Sequence, residues 1–264
     1  MKELKEKSGD LVRLRNFFAI VTLISLTLIG FSACGDDDDD EEIYDSVEET
    51  DGEDDSSTEE SDESETEVEE EDEEEEEIDY TVDVSGSIDG YDYTDLGLSV
   101  MWATCNLGAS SESAYGNYYA WGEIKTKSSY SSSNSTTYGV EIGDITGNAE
   151  YDAATALWGD AWRLPTEDEV NELVDECSWT WASLDAINGY FVTGSTGNSI
   201  FLPAGGWRED DELYYDGEVG RYWSSTPYAN DSVSAAFNIG FGSGNYYVGY
   251  SERYYGRSIR PVSD

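Results

Sequence analysis

The chain contains no histidine in 264 residues. That absence removes the usual general base at neutral pH, the Ser-His-Asp and Cys-His nucleophile systems, and the commonest transition-metal ligand. Hydrolases of those types are excluded. Positive charge is scarce as well, with 13 Lys and Arg against 60 Asp and Glu and a formal net charge of −47. A surface of that sign repels phosphate backbones, so no nucleic-acid partner is expected. Long apolar runs are missing too. The run from Phe17 to Phe31 is about 15 residues, short of the roughly 20 that a membrane-crossing helix needs.

Lys2, Lys5, Lys7, Arg13 and Arg15 precede that run, and Phe31-Ser32-Ala33-Cys34-Gly35 ends it. A basic start, a short apolar middle and small residues before a cysteine read as an export signal rather than part of a fold. Ser32-Ala33-Cys34 resembles a bacterial lipobox, which implies that Cys34 carries a lipid and becomes the first residue of the mature protein. The alternative is an ordinary signal peptide followed by a chance cysteine. Asp36 to Asp40 resembles the acidic export signal of Bacteroidetes lipoproteins, which implies attachment to the outer membrane with the protein facing outward.

About 30 of the 60 acids fall between Asp36 and Asp79. Large apolar side chains are nearly absent there, so this stretch cannot bury enough surface to offset the entropy of ordering. Residues 35–87 read as a disordered, self-repelling tether, with about 45 of them able to reach roughly 150 Å when extended. Calcium chelation is the other reading of such a charge run. The expected organisation is a signal segment over 1–34, the tether over 35–87 and one folded domain over 88–264.

Within the domain, Pro165-Thr166-Glu167-Asp168-Glu169 forms a capping box: Thr166 accepts from the amide three residues on while Glu169 reaches back. Val170, Leu173, Val174 and Cys177 then recur at helical spacing as one apolar stripe. Asp152 caps a shorter helix through Trp158, stopped by Gly159. The remainder reads as strands. Leu98–Leu107 and Tyr118–Gly122 precede the helices. Tyr190–Thr193 and Ser199–Leu202 flank a five-residue hairpin loop. Phe237, Ile239 and Phe241 alternate with small or polar residues, and Gly242–Asn245 turns the chain into Tyr246–Tyr250. Ser258–Val262 is a closing strand. Two helices set in an antiparallel meander predict an α+β domain large enough to bury a core without a metal.

The order Asp-Leu-Gly-Leu-Ser-Val-Met-Trp-Ala-Thr-Cys-Asn-Leu-Gly-Ala (95–109), Tyr-Tyr-Ala-Trp-Gly-Glu (118–123), Trp-Arg-Leu-Pro-Thr (162–166), Asn-Gly-Tyr (188–190), Tyr-Trp-Ser-Ser-Thr (222–226) and Ser-Ile-Arg-Pro-Val (258–262) resembles the Fibrobacter succinogenes major paralogous domain. The likeness spans residues 91–264. Arg-Leu-Pro-Thr opening a capped helix, followed by Trp-Ser-Ser and Ile-Arg-Pro-Val, is also similar to the formylglycine-generating-enzyme branch of the C-type-lectin-like fold. The resemblance implies a C-type-lectin-like architecture and structural roles for Trp223 and Arg260, but the paralogous family has no assigned activity to carry over. Formylglycine chemistry needs two late cysteines, and none follows Cys177. The Glu-Pro-Asn and Gln-Pro-Asp triplets of calcium lectins are missing, so calcium-dependent sugar binding is not implied.

Two thiols remain once Cys34 is lipidated. In an oxidising exported setting Cys105 and Cys177 can pair, closing a loop of about 70 residues worth roughly 4 kcal/mol in the chain-entropy estimate. Unpaired, they would be small buried hydrophobes, one on a strand and one on the helix stripe. No cofactor or metal is expected.

The C-terminal third carries the binding signal. Trp207, Tyr214, Tyr215, Tyr228, Asn245, Tyr246, Tyr247, Tyr250, Arg253, Tyr254, Tyr255 and Arg257 are interleaved with Ser, Gly and Asn, the composition of evolved recognition surfaces. The expected partner is an extracellular glycan or protein, held without catalysis. A structural coat protein with no specific ligand is one alternative. A glycan hydrolase using two carboxylates, drawn from Glu209, Asp210 and Asp211 or from Glu167, Asp168 and Glu169, is the other.

Overall fold

The structure is a computed structural model in which residues 80–264 are described. The stretches expected to be an export signal ending at Cys34 and a tether, up to residue 79, lie outside the described residues. The elements in chain order are β1 (Gly86–Ile88), β2 (Tyr91–Thr94), β3 (Met101–Ala103), α1 (Ala153–Trp158), α2 (Glu167–Glu176), β4 (Ser178–Leu184), β5 (Ile187–Thr193), β6 (Ser199–Pro203), β7 (Trp207–Glu209), β8 (Glu212–Tyr214), β9 (Val219–Pro227), β10 (Ala235–Gly242), β11 (Asn245–Glu252) and β12 (Val262–Ser263). The class is α+β, dominated by antiparallel sheets. The sheets run β1-β2-β3-β12, β11-β10-β9 and β4-β5-β6, with β7-β8 as a separate hairpin. No helix among the described residues is long and apolar enough to cross a membrane.

Both helices start where their side chains cap them. The Asp152 carboxylate accepts from the Ala154 and Thr155 amides, and also from Gly147 and Leu164, so one buried group ties two loops to the start of α1. In α2 the full capping box is present, with Thr166 accepting from the Glu169 amide and Glu169 from the Thr166 amide. Val170 and Leu173 are fully enclosed and Cys177 is buried, all in the core cluster with Trp102, Val192, Ile200 and Phe241. A second cluster forms around α1, where Ala153 and Ala154 pack with Trp121, Leu164, Trp223 and Ile259.

Arg163 fastens the start of α2 to the C-terminus, with Nη2 2.6 Å from Glu169 and 2.5 Å from Asp264. Burial raises the Glu169 carboxyl, but the Arg163 guanidinium and the Thr166 amide outweigh it and hold the group below its ordinary value near 4.5. A depressed folded value means that this stabilisation is complete above the unfolded value and lost as pH falls through the folded one. Glu169→Gln is therefore expected to lower the melting temperature at pH 7 and to flatten the loss of stability below about pH 4.5. Melting curves of both proteins from pH 7 to pH 2 check this, and parallel acid limbs would contradict it.

Three features depart from the sequence reading. The domain begins before residue 88: Tyr80 stacks on Phe191 at 5.1 Å, the Asp83 amide donates to Ser199, and β1 starts at Gly86. Leu98–Leu107 contributes only the three-residue β3, and Tyr118–Gly122 is a buried irregular segment with one isolated bridge, Tyr119 to Arg257, and side-chain bonds to β9 through Trp121 and Trp223. Cys105 and Cys177 are free thiols, so the pairing considered for them is not made. Cys177 closes α2 among core side chains, where burial pushes its thiol up to about 11. Cys105 lies beyond the end of β3, raised by burial against the opposing pull of Arg260.

Candidate ligand-binding site

Sheet register assembles a pocket in the C-terminal third. β7 supplies Trp207 and Glu209, β9 Arg221, β10 Asn238, and β11 Tyr247, Tyr250 and Ser251. Tyr255 and Arg257 follow β11, and these nine residues line a cavity of about 210 Å³. Gly240 sits opposite Arg221 in the β9–β10 pairing. Its missing Cβ gives the guanidinium room, because a methyl group there would overlap Nη1 of Arg221.

Two guanidiniums dominate the electrostatics. Arg257 is 3% exposed and lies 4.7 Å over the Trp223 ring. Its Nη1 donates to Asn238 Oδ1 at 2.7 Å and its Nη2 to Ser251 Oγ at 2.5 Å, while its Nε–H has no partner. Burial first, and the Arg221 charge second, pull its pKa down to about 9. Arg221 donates to the Tyr247 hydroxyl at 2.5 Å and lies over the Trp207 and Tyr247 rings at 5.7 and 5.5 Å. Neither arginine is in an ion pair; among the described residues those belong to Lys127 and Arg163. Glu209 is the one carboxylate lining the pocket. The arrangement offers flat aromatic faces and unneutralised positive charge, which suits holding a ligand.

Of the twelve residues expected to bind, Trp207, Tyr247, Tyr250, Tyr255 and Arg257 meet at this pocket. Tyr214 and Tyr215 stack on Trp207 at 6.0 and 5.2 Å, and Tyr228 stacks on Tyr250 at 3.8 Å, so these three back the pocket rings. Asn245 is exposed where β11 begins, and Tyr246 stacks on Trp179 at 4.6 Å, over the core. Tyr254 packs edge-on against Tyr138.

Arg253 corrects the expectation outright. It is fully buried, 3.9 Å over Trp121, and donates to the Val140, Thr137 and Ser232 carbonyls, so it ties two loops to its own segment and presents nothing to a ligand. Trp223 and Arg260 are buried as well. Glu169 is spent on the cap and on Arg163, while Asp210 and Asp211 sit in the β7–β8 turn, outside the pocket lining.

Sequence reasoning missed Arg221, Asn238 and Ser251. Arg221 stood beside the Tyr222-Trp223 motif, and the one signal available was that it is among only 8 basic residues after residue 80.

A family model described as the Lcl C-terminal domain matches residues 92–263. No curated protein and no solved structure matches the chain.

Proposed function

We propose that this chain, which belongs to the Lcl C-terminal domain family, is a lipid-anchored bacterial surface protein whose folded domain binds an extracellular glycan or protein without catalysis. Cys34 carries the lipid, the acidic run after it directs the protein to the outer face of the outer membrane, and the tether holds the domain clear of the headgroups. The motifs resembling the Fibrobacter paralogous domain support a C-type-lectin-like arrangement of the α+β elements.

One observation carries the reading. Tyr215, Tyr247 and Tyr250 are 54%, 41% and 57% exposed at or beside a cavity that also holds two unpaired arginines. Exposed aromatics grouped around a pocket mark binding sites more often than chance surface apolarity does. A hydrolase would need two carboxylates across a cleft, whereas Glu209 stands alone in this lining. A coat protein would need no such cavity. Glycan and protein arrays probed with the full-length protein in detergent decide between these: saturable binding to a defined ligand is expected, and none at all would leave the coat role.

A further inference from the structure

We infer that the pocket seats a single carboxylate carried by an otherwise uncharged sugar, with Arg257 and Arg221 as the groups that hold it. The inference rests on the pocket being the ligand site and names what it selects. It begins from an imbalance. Residues 80–264 hold 27 acids and 8 basic residues, so a cation in this domain has carboxylates to spare as partners. Arg163 and Lys127 take them. Arg253 and Arg260 are enclosed and spend their donors on carbonyls and one side-chain amide. Lys125, exposed, and Arg208, over the Tyr118 ring, are in no ion pair either but lie outside the cavity lining, whereas Arg221 and Arg257 share one cavity, without an ion pair.

Keeping the buried Arg257 charge beside a second, part-exposed guanidinium is costly unless something neutralises them. Arg257 meets that cost only in part, through two neutral acceptors, Asn238 and Ser251, and its Nε–H remains unused. The Arg253 Nε is unused too, but that guanidinium lies against Trp121 and does not line the cavity. An anion in the cavity would neutralise part of this charge and relieve the repulsion between the two arginines. Guanidinium geometry favours a planar carboxylate.

The walls and the surroundings narrow the carrier. Trp207, Tyr247, Tyr250 and Tyr255 give flat faces around about 210 Å³, room for one sugar ring lying against an aromatic surface. Glu209 in the lining and the acid excess of the domain oppose any further negative charge. Screening over roughly 8 Å at physiological salt spares one carboxylate bound between two arginines, but it does not spare the rest of a polyanion.

Calorimetric titration of the full-length protein in detergent tests this, using methyl β-glucuronide, methyl β-glucoside, polygalacturonate and an N-acetyl dipeptide with a free carboxylate. The glucuronide is expected to bind at least about tenfold more tightly than the glucoside, as a charge-assisted hydrogen bond implies. Polygalacturonate should gain nothing per sugar over the single ring. Arg221→Gln removes one charge, and Gly240→Ala forces the end of the flexible Arg221 side chain aside, with a smaller push on the Tyr247 ring, while the backbone at 240 keeps an ordinary conformation. Both should reduce glucuronide binding to the glucoside level. Equal binding of the two sugars would overturn the carboxylate while leaving the pocket a glycan site. Binding of the dipeptide as tightly as the glucuronide would overturn the sugar, and unchanged glucuronide binding in both variants would place the carboxylate elsewhere. Failure of both sugars on a protein that saturates with an array ligand would overturn this inference alone.

Discussion

Arg260→Ala is expected to lower the melting temperature by about 10 °C or more. Arg260 is 1% exposed. Its Nε donates to Asn106 Oδ1 at 2.9 Å, its Nη1 to the Ala103 and Thr104 carbonyls at 2.9 and 2.7 Å, and its Nη2 to the Phe201 carbonyl at 2.6 Å. Those acceptors come from the end of β3 and from β6, in different sheets, so the guanidinium joins two sheets from inside. Alanine leaves four buried acceptors without that donor. Each lost partner costs roughly 1–3 kcal/mol, and total stability for such a domain is about 5–15 kcal/mol. Relief from burying the charge, which burial shows by lowering the Arg260 pKa, offsets part of the loss. It does not restore the acceptors. Arg260→Lys is expected to recover little, because donors on a single nitrogen cannot reach acceptors spread around the three nitrogens of a planar fork. Thermal melting by circular dichroism checks both variants, and a shift under about 3 °C for Arg260→Ala would contradict the role.

The parts of the fold legible in the sequence are those whose causes are local. α2 was legible because Thr166 and Glu169 satisfy each other's backbone within four residues, and α1 because Asp152 caps it directly. The β5–β6 and β10–β11 hairpins announced themselves through Gly194–Asn198 and Gly242–Asn245. β4 was hidden for a comparably local reason. Its turn into β5 uses Asp185-Ala186, both at positive φ, where Asn-Gly would have been the readable signal. No Gly or Pro separates Ser178 from the end of α2 either. Tyr118–Gly122 misled in the other direction: a short apolar aromatic run looks the same whether paired as a strand or merely enclosed. Here Tyr119 and Trp121 donate to the Arg257 and Arg253 carbonyls, contacts more than 100 residues away in sequence.

The site was half legible for the same reason. Composition marked the aromatic segment, and five of its residues do line the pocket. Arg221 and Asn238 arrive through the pairing of β9, β10 and β11, a matter of register that composition does not encode. Arg253 and Arg257, four residues apart in one segment, looked equivalent. One is locked against Trp121 by three carbonyls, and the other, held by Asn238 and Ser251, lines the cavity.

The proposed binding role depends on rings that are available to a ligand and dispensable to the core. Tyr247 and Tyr250 sit on β11, the outer strand of its sheet, and are 41% and 57% exposed. What they contribute to the fold is modest. Tyr247 receives a hydrogen bond from Arg221, and Tyr250 stacks on Tyr228. As walls of the pocket they would instead supply much of the contact energy, since a few aromatic anchors carry most of a recognition surface. Titrating the Tyr247→Ala, Tyr250→Ala double variant with the strongest array ligand, alongside its melting curve, is the most direct test. The predicted result is a loss of affinity of about a hundredfold or more with the melting temperature within about 4 °C of the wild type. Affinity kept within about threefold, or a domain that unfolds, would contradict it, because the rings would then be either irrelevant to the ligand or part of the interior.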